Sequence, residues 1–257
     1  VAPTDVGAIF TASVTGIATP SLDARLVGRL GLSPQVKRVP IFGLGCVAGA
    51  AGIARAADYV RAFPGEAAVL LAVELCSLTL QREDLSIPAL IASGLFGDGA
   101  AAAVVTGEAL GGDGPRVVAT RSVFYPDSER VMGWDVTNSG FRIVLSAEVP
   151  LVVERHLAGD VDAFLADQGL GRGDIASWVC HPGGPKVLTA MESALGLARQ
   201  DLALTWRSLE EVGNLSSASV LLVLADTLAG ARPAPGSWGM LLALGPGFCS
   251  ELVLLRW

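Results

Sequence analysis

Three residues in this chain have the types and local settings that acyl transfer needs: Cys46, His181 and Asn214. Cys46 follows Gly43-Leu44-Gly45 and opens an Ala-rich stretch to Tyr59, interrupted only by Gly49 and Gly52, whose first charge is Arg55. With the apolar run Val39, Ile41 and Phe42 ahead of it, the segment predicts a strand, a tight turn and a helix. At a helix start, free N–H groups and the helix dipole favour a thiolate, and a thiolate there is a nucleophile for an acyl group. The competing reading is a cysteine acting as a small buried hydrophobe. His181 falls in Cys180-His181-Pro182-Gly183-Gly184-Pro185, a rigid, side-chain-poor loop that lets a ligand approach the backbone. It can pair with a Cys46 thiolate and, together with Asn214, donate hydrogen bonds to an oxygen that becomes negative. Two plainer roles stand beside these: a satisfied core histidine for His181, and a helix cap for Asn214. The second histidine, His156, sits between Arg155 and Leu157 on an amphipathic stretch and reads as a surface residue.

The elements that must position these groups form a weak internal repeat. Gly45-Cys46 and Gly213-Asn214 each start a small-residue helix, to Val60 and to Leu228. Each helix is followed by Pro-Gly (Pro64-Gly65, Pro235-Gly236) and then by a strand, Val69 to Val73 and Met240 to Leu244. If two half-domains pack pseudo-symmetrically, the helix starts bearing Cys46 and Asn214 face each other across one site. Elsewhere the pattern predicts strands over Val6–Val14, Ala67–Leu75, Ala100–Thr106, Arg116–Ser122 and Ile175–Cys180. Helices are expected over Ser21–Gly31, Ile87–Leu95, Val149–Gly169 and Lys186–Leu197, and an irregular, Trp- and Met-bearing segment over Phe124–Gly140. The Gly-rich linker Gly107–Pro115 divides a first half, residues 1–109, carrying the cysteine, from a second half, residues 110–257, carrying the histidine and asparagine. The missing initial Met and the immediate strand suggest a chain whose beginning is absent.

Composition narrows the function classes. The 257 residues are 51% hydrophobic, with a mean hydropathy of +0.54. The uncharged stretches Val39–Ala54 and Pro233–Ser250 are too short or too rich in Gly and Pro to span a membrane. The apolarity therefore belongs to a sheet buried on both faces. The net charge of −7 and the presence of only Lys37 and Lys186 as lysines argue against nucleic-acid binding. Cys46, Cys76, Cys180 and Cys249 lie far apart without metal-ligand spacing, so neither a zinc site nor a disulfide framework is expected, and a reducing cytoplasm is the default location.

Five segments in order, GLGCVAGAAG, SGLFGDGAAAAVV, CHPGGPKVL, GNLSSASVL and LGPGFCSELVLLRW, resemble the type III polyketide synthases, the chalcone-synthase-like family of thiolase fold. The resemblance runs the length of the chain. It implies an α/β enzyme of five layers, αβαβα, built from two pseudo-symmetric halves, lacking here an N-terminal portion of the family with its basic residues for the coenzyme A phosphates. It further implies a homodimer without a cofactor or metal, acting on acyl-CoA and malonyl-CoA. An acyl group is loaded on Cys46 and extended by decarboxylative condensation with malonyl-CoA, with His181 and Asn214 binding the thioester oxygen, before the product cyclises. The resemblance places Phe96 as gatekeeper between tunnel and cavity, Lys186 near the pantetheine arm, and Thr19 at the neighbouring subunit's cavity. Ser216 and Gly245 fall with Cys76 and Trp134 among the substrate-contacting positions.

Departures from the family bear on substrate. The C-terminal GFGPG loop reads Ala243-Leu244-Gly245-Pro246-Gly247, and Cys76 and Trp134 replace smaller or hydroxylated residues of the plant enzymes. The segments RSVFYPDSERVMGWDV and SGFRIVLSAEVP look like those of alkylresorcinol and alkylpyrone synthases. An apolar lining of Phe124, Tyr125, Met132, Trp134 and Ile143 then predicts a long fatty acyl starter. The alternative is 1,3,6,8-tetrahydroxynaphthalene synthesis from malonyl-CoA only. Rival classes are a ketoacyl-ACP synthase III, which should carry Gln-Ala-Asn after the histidine, and a non-catalytic partner subunit, which should have lost the nucleophile.

Overall fold

A computed structural model describes all 257 residues. Alternation of side chains builds the architecture. In β1 (Val6–Ala12), Ala8, Phe10 and Ala12 face one core and Ile9 faces another. In β9 (Trp238–Gly245), Leu241 and Ala243 face that first core while Met240, Leu242 and Leu244 face a third. Strands apolar on both faces must be covered on both sides. The first sheet has the order β2 (Lys37–Ile41), β1, β3 (Ala67–Leu75), β4 (Asp98–Thr106), and the second β5 (Arg116–Phe124), β10 (Cys249–Arg256), β9, β8 (Ile175–Cys180).

Between the sheets lie α2 (Ala48–Ala62) and α7 (Ser219–Gly230). Outside the first sheet, the chain around α1 (Leu22–Leu26) places Leu32 and Val36 on Val6 and Ile9. Outside the second, α4 (Val149–Ala166) and α5 (Pro185–Leu195) cover the β8–β9–β10 face. These are the five layers of a thiolase-like fold. In each half a strand (β1 or β8) leads on to a central helix (α2 or α7), then a parallel strand (β3 or β9), then an antiparallel neighbour (β4 or β10). α3 (Ile87–Leu95) and α6 (Ala203–Val212) complete the helices.

The two central helices approach closely because α2 is made of small residues. A Cβ on Gly49 would run into the Ser217 carbonyl and lie 2.7 Å from Val220 Cγ1. No helix is long and apolar enough to cross a membrane.

Two local expectations fail. Ser21–Gly31 is α-helical only over Leu22–Leu26; Val27–Gly31 continues as hydrogen-bonded turns that end at Gly31, with φ of +65°. Phe124–Gly140 is not irregular throughout. Met132–Thr137 (β6) and Gly140–Leu145 (β7) form a hairpin around Asn138-Ser139, closed by Thr137 Oγ1 donating to the Gly140 carbonyl.

Candidate active site

Cys46 lies in a short 3-10 turn, Gly45–Val47, that runs straight into α2, and it is buried. The matching turn of the second half, Ser216–Ala218, leads into α7. The two turns meet: Cys46 Sγ lies 3.7 Å from Ser216 Oγ and 4.0 Å from Asn214 Oδ1. Ser216 itself has φ of +50°, a left-handed backbone uncommon for a residue with a side chain. Such local strain persists only where the surroundings impose it, and it gathers at functional sites.

Asn214 is held from several directions. Its backbone N–H donates to the Leu95 carbonyl at 2.8 Å, and its carbonyl accepts from Gly97 N at 3.0 Å, so Phe96 forms a parallel bridge with it. Gly213 permits this with φ of +74°, since a Cβ there would sit 2.6 Å from the Leu95 oxygen. The side-chain Oδ1 accepts the Ser216 N–H at 2.8 Å, and Nδ2 donates to the Gly183 carbonyl at 3.2 Å. One of the two amide N–H bonds is then used and the other is left over.

His181 extends the β8 ladder by donating its N–H to the Leu242 carbonyl at 2.8 Å, which puts it at the strand's end. It is buried, and neither Nδ1 nor Nε2 has a protein partner. With Asn214 and Gly183 it borders a narrow cleft also lined by Met132, Phe248 and Leu244. Burial lowers the His181 pKa to about 3, so the ring is neutral at working pH. Burial also pushes the Cys46 thiol up to about 11; bonds to Ser216 and Asn214 oppose this, and the charge of Glu74 adds to it. Desolvation thus works against the thiolate expected for Cys46 from its helix position.

A larger cavity of about 420 Å³ takes in Cys76, Phe96, Gly97, Trp134 and Ile143; Cys46, His181 and Asn214 do not line it, and Phe96, bridged to Asn214, links the two. The remaining sequence candidates separate. Gly245 packs on the turn that carries Cys46, where a Cβ would lie 2.6 Å from the Leu44 oxygen and 2.8 Å from Val47 N. Lys186 is exposed on the first turn of α5, and Thr19 is exposed in the turn before Pro20; neither lines the cavity or the cleft.

The apolar lining expected for a fatty chain does not assemble. Phe124 is 59% exposed. Tyr125 is buried in the α4 core with its hydroxyl donating to Asp160 at 2.5 Å. Met132 borders the narrow cleft, and only Trp134 and Ile143 reach the larger cavity. The hairpin pairs Trp134 with Ile143 and so holds both at one place, whereas Met132 pairs with Leu145 at its far end and Phe124 ends β5.

Sequence reasoning missed Glu74. Fully buried at the end of β3, it accepts from Val14 N and Thr15 Oγ1 at 3.0 Å each and from Ser217 Oγ, tying both halves together behind Cys46. The signal was present: a lone carboxylate in the apolar run Ala67–Leu75 requires buried donors.

The chain matches the profile of "Chalcone and stilbene synthases, N-terminal domain" over residues 3–109 and that of "Chalcone and stilbene synthases, C-terminal domain" over residues 116–257. It is 57% identical to a 1,3,6,8-tetrahydroxynaphthalene synthase of Streptomyces peucetius subsp. caesius, across 98% of this chain and 68% of that enzyme. Identity to a putative chalcone synthase of Bacillus subtilis (strain 168) is 43%, across 98% of this chain and 71% of that protein. The crystal structure of 1,3,6,8-tetrahydroxynaphthalene synthase from Streptomyces coelicolor A3(2), a bacterial type III polyketide synthase, aligns with a TM-score of 0.96 at 36% identity, covering 100% of this chain and 73% of that one. The chain thus belongs to the chalcone and stilbene synthase family, as a bacterial type III polyketide synthase and hence a decarboxylating, condensing acyltransferase.

Proposed function

We propose that this enzyme uses malonyl-CoA as both starter and extender and makes a tetrahydroxynaphthalene-type product. The observation that carries the reading is the cavity: Trp134 and Ile143 bound it, and the residues that would prolong it into an alkyl tunnel lie elsewhere. Its 420 Å³ falls within the range of small-molecule pockets. The 57% identity to a tetrahydroxynaphthalene synthase supports the same choice. The long fatty starter read from the segment around Trp134 gives way to it.

In this reading Cys46 Sγ attacks the malonyl thioester carbonyl, a C–S bond forms, the C–S bond to coenzyme A breaks, and the thiol proton leaves with the coenzyme A thiol. A neutral imidazole has one nitrogen to accept and one to donate, so His181, with both unpartnered, serves the thiol proton and the thioester oxygen in turn. On the extender, C–C cleavage releases carbon dioxide and its electron pair forms an enolate, whose oxygen is met by His181 and the spare Asn214 N–H. The enolate carbon then attacks the Cys46 thioester. Coenzyme A thioesters are substrates throughout, with Phe96, Cys76, Trp134, Ser216 and Gly245 shaping their path, and Lys186 beside it. The enzyme acts as a homodimer to which Thr19 contributes from its exposed turn.

Feeding labelled malonyl-CoA alone, and then with acyl-CoAs of increasing length, tests the starter. We expect an aromatic product from malonyl-CoA alone and falling kcat/KM with chain length. Dependence on a long acyl-CoA, with kcat/KM rising by the ~0.8 kcal/mol that each buried methylene gains, would restore the alkylpyrone reading.

A further inference from the structure

We infer that Arg82 is the specificity residue for the starter's free carboxylate. The inference rests on malonyl-CoA acting as starter. Loading on Cys46 breaks only the thioester bond to coenzyme A, so a malonyl group on the sulfur keeps its far carboxylate and its negative charge. An acetyl group has none. A cavity that accepts the malonyl group must meet that charge, or burial disfavours it.

Arg82 is the one cationic side chain lining the 420 Å³ cavity. It has no ion pair: no carboxylate lies within 4.0 Å of it, whereas Arg130 and Arg142 nearby share Asp135. The two acids in the same lining are already committed. Asp84 Oδ1 accepts from Ser86 N at 3.0 Å, and the Asp98 carboxylate accepts from Ser77 N at 2.7 Å and Ser77 Oγ at 2.6 Å. The preceding residue is anchored, because Gln81 Nε2 donates to the Ser139 carbonyl at 3.2 Å and the Phe141 carbonyl at 3.4 Å of the β6–β7 hairpin. Arg82 is thus a guanidinium without an ion pair, exposed at the open side of the cavity that contains Cys76, Phe96 and Trp134, next to a Gln81 whose side chain is tethered. Guanidinium matches a carboxylate with two parallel N–H donors. It also matches a phosphate, so the coenzyme A phosphates are the other source of the same chemistry.

Single-turnover loading of Cys46, read by intact mass, separates the two. Arg82→Gln and Arg82→Lys are compared with wild type on malonyl-CoA, acetyl-CoA, and malonyl-N-acetylcysteamine, which carries no phosphate. The carboxylate assignment expects Arg82→Gln to slow malonyl loading ~10- to 100-fold from both malonyl donors, the range of a charge-assisted bond. Acetyl loading stays within about twofold, and Arg82→Lys recovers part of the loss. Equal loss on malonyl-CoA and acetyl-CoA with none on the phosphate-free donor assigns Arg82 to the coenzyme A phosphates and overturns the inference, as does an unchanged rate on every donor. Wild-type enzyme that loads acetyl but never malonyl removes the malonyl-starter reading itself, and Arg82's role with it.

Discussion

Substitution of Asn214 separates the oxyanion role proposed for it from the structural one its hydrogen bonds show. Its Nδ2 spends one N–H on the Gly183 carbonyl at 3.2 Å, leaving one for the enolate oxygen, while Oδ1 caps Ser216 N at 2.8 Å. Removing a donor aimed at a developing oxyanion costs ~10²–10³ in rate. Truncation also strands the buried Ser216 N–H, at ~1–3 kcal/mol, and the half-buried Gly183 carbonyl at less. Asn214→Asp distinguishes these effects: a carboxylate still accepts from Ser216 N but cannot donate to the oxyanion, and its charge opposes the one that forms there. We expect carbon dioxide release from malonyl-CoA, without further starter, to fall at least ~10²-fold in both variants, with Tm falling less in Asn214→Asp than in Asn214→Ala. Loading of Cys46 should survive in both. Wild-type carbon dioxide release from Asn214→Asp would refute the reasoning and reduce Asn214 to a helix cap.

Cys46→Ala should abolish acyl loading by mass spectrometry, while single Ala substitutions at Cys76, Cys180 and Cys249 leave it in place, since none of these begins a central helix. Gly49→Ala should destabilise by ~1–3 kcal/mol in a denaturant titration, the usual cost of overpacking, because its Cβ meets the Ser217 backbone and Val220. Because the folded-state pKa of His181 is depressed, to about 3, its unfolded form binds more protons between there and ~6.5. Stability should therefore decline as pH falls through that window, and His181→Gln should flatten that part of a Tm-against-pH curve.

Much of the fold is legible in the sequence because its core strands carry unbroken apolar runs. Ala67–Leu75 and Ile175–Cys180 form as strands with the expected bounds, and Ile87–Leu95 as a helix. The meeting of Cys46 with Asn214 follows from the repeat, since like elements in two halves pack about a common centre. The desolvation of Cys46 was not legible: a helix start argues for the anion, and only the packing reveals the burial that opposes it. Nor was the division of Phe124, Tyr125, Met132, Trp134 and Ile143 among surface, core, cleft and cavity. Their spacing in sequence carries no record of the Asn138-Ser139 hairpin, which fixes Trp134 opposite Ile143. Arg82 and Glu74 are single charges whose roles depend on which partners the fold supplies or withholds.

The parallel bridge between Phe96 and Asn214 has an evolutionary side. The peptide units on either side of Phe96 also fix Asn214, through Leu95 and Gly97. A lineage altering its range of products cannot shift that backbone without moving Asn214 as well. Diversification is thereby channelled into side chains around the cavity, such as Cys76, Arg82 and Trp134, which can be exchanged one at a time while the condensing chemistry is inherited intact.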